Sequence, residues 1–176
     1  MLFRFALISL MLLAHGCDNQ NAGGAESGVP TRAQRSPEGV LDFQLADTSG
    51  KIIRLADYRG KTVLINFWAH WCTPCLDEIP DLVRLREDYR ERGLEVLGVV
   101  SPAGLNQKKS RQLARSLGIT YPVLWGTEDL VALFNNFANL PMTFVINPRG
   151  KLVNSSMGKH DYSYFEQLIQ KHLPQP

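Results

Sequence analysis

The largely apolar run Thr62 to Asn66 leads straight into Phe67-Trp68-Ala69-His70-Trp71-Cys72-Thr73-Pro74-Cys75, so a buried strand must feed a helix that opens with two thiols. That order puts the first thiol at a helix N-terminus, where free backbone N–H groups and the positive end of the helix dipole favour thiolate over thiol. Cys72 is therefore expected to be the nucleophile. Cys75 lies one turn further in, close enough to attack a mixed disulfide on Cys72 and expel the partner, so it is expected to be the resolving thiol.

Other uses of such a pair fit the chain less well. A structural zinc site needs four protein ligands, commonly two cysteine pairs, and the only other cysteine is Cys17. A purely stapling disulfide gains little entropy from closing so short a loop. A peroxidatic cysteine needs no partner three residues on, and the residues ahead of Cys72 lack the Pro and Thr of peroxiredoxins.

The N-terminus begins Met1-Leu2-Phe3-Arg4 and continues with an apolar stretch from Phe5 to Ala14, broken only by Ser9. A charged start, a short apolar core and a small-residue exit at Gly16 have the form of an export signal over residues 1–16. The stretch is shorter than the roughly 18 apolar residues of a transmembrane helix, and an uncleaved anchor stays open as an alternative. Export implies an oxidising compartment. Leu13-Ala14-His15-Gly16-Cys17 resembles the lipobox of bacterial lipoproteins, with its Leu four residues before the cysteine instead of three. That resemblance implies that Cys17 is diacylated and becomes a lipid anchor, with Asp18 resembling an inner-membrane retention signal. Ala14-x-Gly16 would equally suit ordinary signal peptidase and leave a soluble protein.

Removing residues 1–16 from 176 leaves 160, enough for one domain with a sizeable core. It also removes Arg4 and no acid, lowering the formal charge from +2 to +1, which offers no field for nucleic acid. Residues 17–37 are polar and rich in Gly, Asn, Ser, Ala and Gln, without periodicity. They are expected to form a flexible tether spanning roughly 25 Å. The folded domain is then residues 38–176.

Within that domain, Val40–Leu45 and Lys51–Leu55 flank the turn-like Asp47-Thr48-Ser49-Gly50 and predict an antiparallel hairpin. The strand Thr62–Phe67 follows, then a helix from about Thr73 to Arg92, stopped by Gly93 and kinked by Pro80. Leu94–Val100 is mostly apolar and asks for a central parallel position. A helix is expected over Gln107–Leu117, an extended piece over Thr120–Trp125, and a helix over Thr127–Phe137 capped by Thr127. Met142–Ile146 and Lys151–Ser155 form a pair around Asn147-Pro148-Arg149-Gly150, and Asp161 caps a last helix through Lys171. The order predicts an α/β fold, a mixed sheet covered on both faces.

From about Val40 onward the chain resembles the membrane-anchored TlpA/ResA-like group of thioredoxin-fold proteins. The resemblance is carried by Val63-Leu64-Ile65-Asn66-Phe67-Trp68-Ala69-His70-Trp71-Cys72-Thr73-Pro74-Cys75, by the added N-terminal hairpin, by a helical insertion after the second core strand, and by Leu140-Pro141-Met142-Thr143-Phe144. It implies a thioredoxin-like fold whose redox group is a Cys72–Cys75 disulfide, with no other cofactor and no metal. It also implies a cis bond before Pro141, whose alternative is an edge-strand proline, and a Leu140 backbone free to pair with a substrate peptide.

Many cytosolic thioredoxins carry a buried Asp where this chain has Asn66. Glu78 matches an acid that resembling proteins place near the thiols, where burial would raise its pKa; an exposed acid favoured by the helix dipole is the alternative. Trp71 is a rim contact, Thr73 and Pro74 between the cysteines are expected to meet substrate together with Trp71 and Leu140, and Trp68 belongs to the core. His70 and His160 are read as ordinary exposed histidines before any functional use. Pro74 withholds an amide near the sulfurs, which leans towards a reductant.

The expected function is a monomeric periplasmic thiol–disulfide oxidoreductase that reduces exported proteins, such as apocytochrome c or a copper-site assembly protein. The resemblance implies a membrane thiol-electron transporter as its electron source. The same thiols run in the oxidising direction, or a copper-binding module using Cys72, Cys75 and His70, are the alternatives.

Overall fold

The computed structural model describes residues 32–174. The export signal, Cys17 and the tether up to residue 31 lie outside the described residues. Three strands, β1 (Arg32–Arg35), β2 (Leu41–Ala46) and β3 (Ile52–Arg54), form a small antiparallel sheet in the order β1-β2-β3. Arg32–Arg35 corrects the expected tether boundary at residue 37. Its side chains are almost all exposed, so it carries no apolar alternation. It is held by backbone pairing to β2, by Ala33 against the core, and by a hydrogen bond from Arg35 Nη2 to the Leu133 carbonyl at 3.1 Å.

The main sheet has the order β6-β5-β4-β7-β8, from β4 (Thr62–Trp68), β5 (Leu94–Val100), β6 (Val123–Trp125), β7 (Met142–Ile146) and β8 (Leu152–Met157). β4, β5 and β6 run parallel, and β7 and β8 are antiparallel, which makes the sheet mixed as expected. Every residue of β4 and β5 is buried, the reason both read as continuous apolar runs with few interruptions.

Helix α1 (Thr73–Tyr89) covers one face of the sheet with α4 (Tyr162–Gln170). Ile79, Leu82, Leu85 and Tyr89 recur at helical spacing and are buried, and the helix continues without a break through Pro80, which faces solvent. A short 3-10 turn follows, and Gly93 ends it in the left-handed region at φ 86°. Helix α2 (Gln107–Ser116) is capped by Asn106, and α4 by Asp161 as expected.

The opposite face is covered by the small sheet and α3 (Glu128–Leu133), capped by Thr127. α3 stops short of the expected Phe137 because Asn135 and Asn136 both take positive φ, 67° and 51°, a conformation a right-handed helix cannot contain. The turned chain presses Phe137 against Phe67 and Phe144, with Phe134 beside them, all with ring centroids 4.6–5.7 Å apart. No helix among the described residues is long and apolar enough to cross a membrane.

Phe134 is buried in that aromatic group, against Phe67 and Phe144. Phe134→Ala is expected to lower stability by about 3–5 kcal/mol, read from the midpoint of urea unfolding at unchanged slope.

Candidate active site

The site is built where β4 runs out. β4 ends at Trp68, the Cys72 amide turns back onto the Ala69 carbonyl at 3.1 Å, and α1 begins at Thr73. Cys72 is the N-cap residue, with extended backbone at φ −93° and ψ 91°. Its Sγ accepts a hydrogen bond from the Cys75 amide at 3.3 Å. Pro74 sits in the first turn, where its missing N–H is tolerated.

Cys72 and Cys75 are joined as a disulfide with Cα atoms 5.2 Å apart. Cys72 keeps 5% exposure while Cys75 has none, so a partner can reach only the cap sulfur. Thr73 and Pro74 are exposed on the outer side of the pair, and Trp71 stands 62% exposed beside it. Trp68 is wholly buried, as expected for core.

The β4–β7 register pairs Asn66 with Thr143 and Phe67 with Met142, which carries Pro141 to the strand end that leads into Cys72. The Leu140–Pro141 peptide bond is cis. Leu140 packs against the core group that contains both cysteines. It also lines, with Trp71, Phe137, Val131 and Pro102, a mostly apolar cleft of about 530 Å³ that reaches Trp71, the residue before Cys72, without being lined by either cysteine.

Glu78 lies one turn beyond Cys75 and has no exposed surface, so it is not the solvated acid that the helix dipole alone would favour. Its Oε1 accepts from Asn66 Nδ2 at 2.7 Å and its Oε2 from the His160 amide at 3.2 Å. Burial pushes its pKa from 4.5 up to about 7, against the lowering effects of the Asn66 and His160 hydrogen bonds and of the Lys159 charge. Asn66 Nδ2 also donates to Thr143 Oγ1 at 3.0 Å. Tyr121 is buried in the same core group, and its hydroxyl pKa is pushed up by burial first and by the Glu78 charge second.

Sequence reasoning marked Asn66 only for the acid it replaces and left His160 at the surface; both hold the buried carboxylate. An amide at an otherwise apolar, fully buried strand position was the available signal for Asn66. Nothing local marks His160, because its contact with Glu78 joins residues 82 positions apart. His70 makes no hydrogen bond to the cysteines. Its ring lies against Gly104, where a Cβ would stand 3.1 Å from Cε1, so the Ser101–Leu105 loop passes directly over it. Among the described residues no three His, Cys, Asp or Glu side chains gather as a metal site.

The raised Glu78 pKa fixes a pH dependence. Between about 4.5 and 7 the unfolded chain releases this proton while the folded chain keeps it, so stability falls as pH rises through that window and levels off above it. The loss attributable to Glu78 is at most about 3 kcal/mol. Urea unfolding of the oxidised protein from pH 4.5 to 8 should show the decline, and Glu78→Gln should flatten it.

Comparison with known proteins places this geometry. Residues 38–155 match the AhpC/TSA family. The thiol-disulfide oxidoreductase ResA of Bacillus subtilis is 32% identical over 165 residues, covering 90% of this chain and 89% of that protein. Among solved structures, a thiol:disulfide interchange protein of Chlorobium tepidum superposes with TM-score 0.69 at 27% identity, over 80% of this chain and 97% of that one. The pneumococcal exposed lipoprotein thioredoxin of Streptococcus pneumoniae does so with TM-score 0.66 at 29% identity, over 74% and 98%. The chain belongs to the AhpC/TSA family, and within it is a thiol–disulfide oxidoreductase of the thioredoxin fold.

Proposed function

We propose that this protein reduces disulfides in exported proteins of the bacterial periplasm while tethered to the inner membrane through Cys17. The observation that carries the proposal is the asymmetry of the pair: a reachable Cys72 at a helix cap, and a fully buried Cys75 one turn before a buried acid that titrates near 7.

In the reduced protein the Cys72 thiolate attacks one sulfur of a substrate disulfide. A bond forms between Cys72 Sγ and that sulfur, and the other substrate sulfur leaves as a thiolate that takes a proton from solvent. Cys75 then gives its proton to the Glu78 carboxylate and attacks Cys72 Sγ, closing the Cys72–Cys75 disulfide and expelling the second substrate sulfur as a thiolate that takes a proton from solvent, to which Glu78 later returns its own. Two electrons pass from the dithiol to the substrate. Restoring the dithiol takes two electrons from a donor of the same chemistry, a membrane thiol-electron transporter.

The protein's own groups favour this direction only moderately. The helix N-terminus stabilises the Cys72 thiolate, but Pro74 supplies no amide, and among the described residues the Cys75 N–H is the one donor to Cys72 Sγ. A modest gain for the thiolate keeps the disulfide form stable and the dithiol reducing. Trp71, Leu140 and the apolar cleft would grip an extended peptide around its cysteines, a form that unfolded apocytochrome c or a copper-site assembly protein can present. Support for the lipid anchor comes from the lipobox-like residues before Cys17 and from the lipoprotein character of the pneumococcal relative.

A redox titration of a fragment beginning ahead of Arg32, so that β1 is kept, should give a potential near −270 mV; a value near −120 mV would identify an oxidant and reverse the direction. Cys72→Ser should abolish insulin-disulfide reduction, at least a hundredfold, whereas Cys75→Ser should accumulate a mixed disulfide on Cys72. Cys17→Ala should move the exported protein from the membrane to the soluble fraction, and retention at the membrane would remove the lipid anchor from the proposal.

A further inference from the structure

The loop from β8 to α4 is bonded to three elements around the site. The Gly158 amide donates to the Pro141 carbonyl at 2.9 Å, Lys159 Nζ to Asp77 Oδ2 at 3.0 Å, and the His160 amide to Glu78 Oε2 at 3.2 Å. Three consecutive residues thus strap together the strand of the cis proline, the start of α1 and the buried acid. Gly158 makes the strap possible by taking φ 89°, a conformation in which a side chain is strained.

The strap is itself fixed by the His160 ring. The imidazole lies flat on Tyr164, with centroids 3.6 Å apart and planes 9° off parallel, and stands edge-on to Phe165. Its Nε2 is 2.6 Å from Ser156 Oγ, which is also 2.8 Å from the Tyr164 hydroxyl. Ser156 lies on β8 and Tyr164 on α4, so one ring joins the two elements that the strap connects. A histidine serving only as solvated surface would make none of these contacts.

We propose that His160 is a positioning residue for the buried acid: its ring, locked between Ser156 and Tyr164, holds the strap so that the His160 amide stays on the Glu78 carboxylate and sets that acid's affinity for protons. The proposal rests on Glu78 serving as proton acceptor for Cys75. The groups that act on the carboxylate are Asp81 on its own helix, Lys159 and His160 on the strap and Asn66 on β4, and Glu78 in turn acts on Tyr121 ahead of β6. Asp77 and Thr143 stand one step further out, Asp77 accepting from Lys159 and Thr143 from Asn66. Asp81 favours the protonated form, and Lys159 and the two hydrogen bonds favour the ionised one. Two of those three ionising influences, the His160 amide and the Lys159 charge, belong to the strap. Loosening it withdraws both and strengthens proton binding.

The test is a 13C NMR titration of the Glu78 side-chain carboxyl in the oxidised full chain. His160→Ala should raise the midpoint by about half a pH unit or more, roughly a threefold gain in proton affinity. Ser156→Ala, which keeps the stack and removes only the hydroxyl, should raise it by less. Circular dichroism establishes that each variant is folded; if His160→Ala is not, Ser156→Ala carries the test with the same expected sign. A midpoint that stays in place or falls in a folded variant overturns the proposal. Insulin reduction by Glu78→Gln is measured alongside. A pH–rate profile unchanged in that variant removes Glu78 from the proton transfer, a separate failure from an unmoved midpoint in the His160 variants.

Discussion

The complete burial of β4 is the constraint on which the rest of this structure depends. Seven consecutive buried residues must satisfy two different cores at once. Val63, Ile65 and Phe67 point into the layer under the small sheet and α3, while Leu64 and Trp68 point into the layer under α1 and α4. Because side chains alternate across a sheet, a slip of one residue would exchange the two sets, so the register is tightly specified. That register puts Asn66 on the same side as α1, opposite Thr143 and within reach of Glu78. It also ends the strand at Trp68, leaving three residues before Cys72 caps the helix.

The chemistry of the site follows from how that buried layer treats one carboxyl group. Removing Glu78 from water disfavours its charge, and two neutral donors and one nearby ammonium restore part of what is lost. Burial dominates without erasing the other influences, and the outcome is a carboxyl group whose pKa is raised to about 7, one helical turn beyond the buried Cys75. A fully apolar neighbour at position 66 would leave the acid protonated, and a cation would hold it ionised; the Asn66 amide does neither. The disulfide is handled by a parallel division. Cys72 is stabilised from the helix terminus, where backbone amides are available, and Cys75 is stabilised by packing, where nothing from solvent can reach it.

Much of the fold was legible because the signals involved are local. Met142–Ile146 and Leu94–Val100 could be placed to the residue, since strands buried on both faces carry nearly unbroken apolar runs. Thr127 and Asp161 announced their helices because a short polar side chain that binds a free amide is specific to a helix start. β1 was not legible. An edge strand with exposed side chains is held by its backbone, and backbone bonds leave no mark in composition. The early end of α3 was equally hidden, since asparagine tolerates a positive φ without announcing it.

The sequence by itself determined that two thiols would sit at the start of a helix fed by a buried strand, because spacing, apolar runs and capping act over a few residues. It also put Cys72 rather than Cys75 at the positive end of the helix dipole, because that dipole has one direction. Only the tertiary structure decided the proton affinity of Glu78. Its desolvation comes from the packing of α1 on the sheet, and its donors, Asn66 and the His160 amide, stand 12 and 82 positions away. A group's charge state depends on everything within several ångströms in space, and no local pattern encodes that neighbourhood.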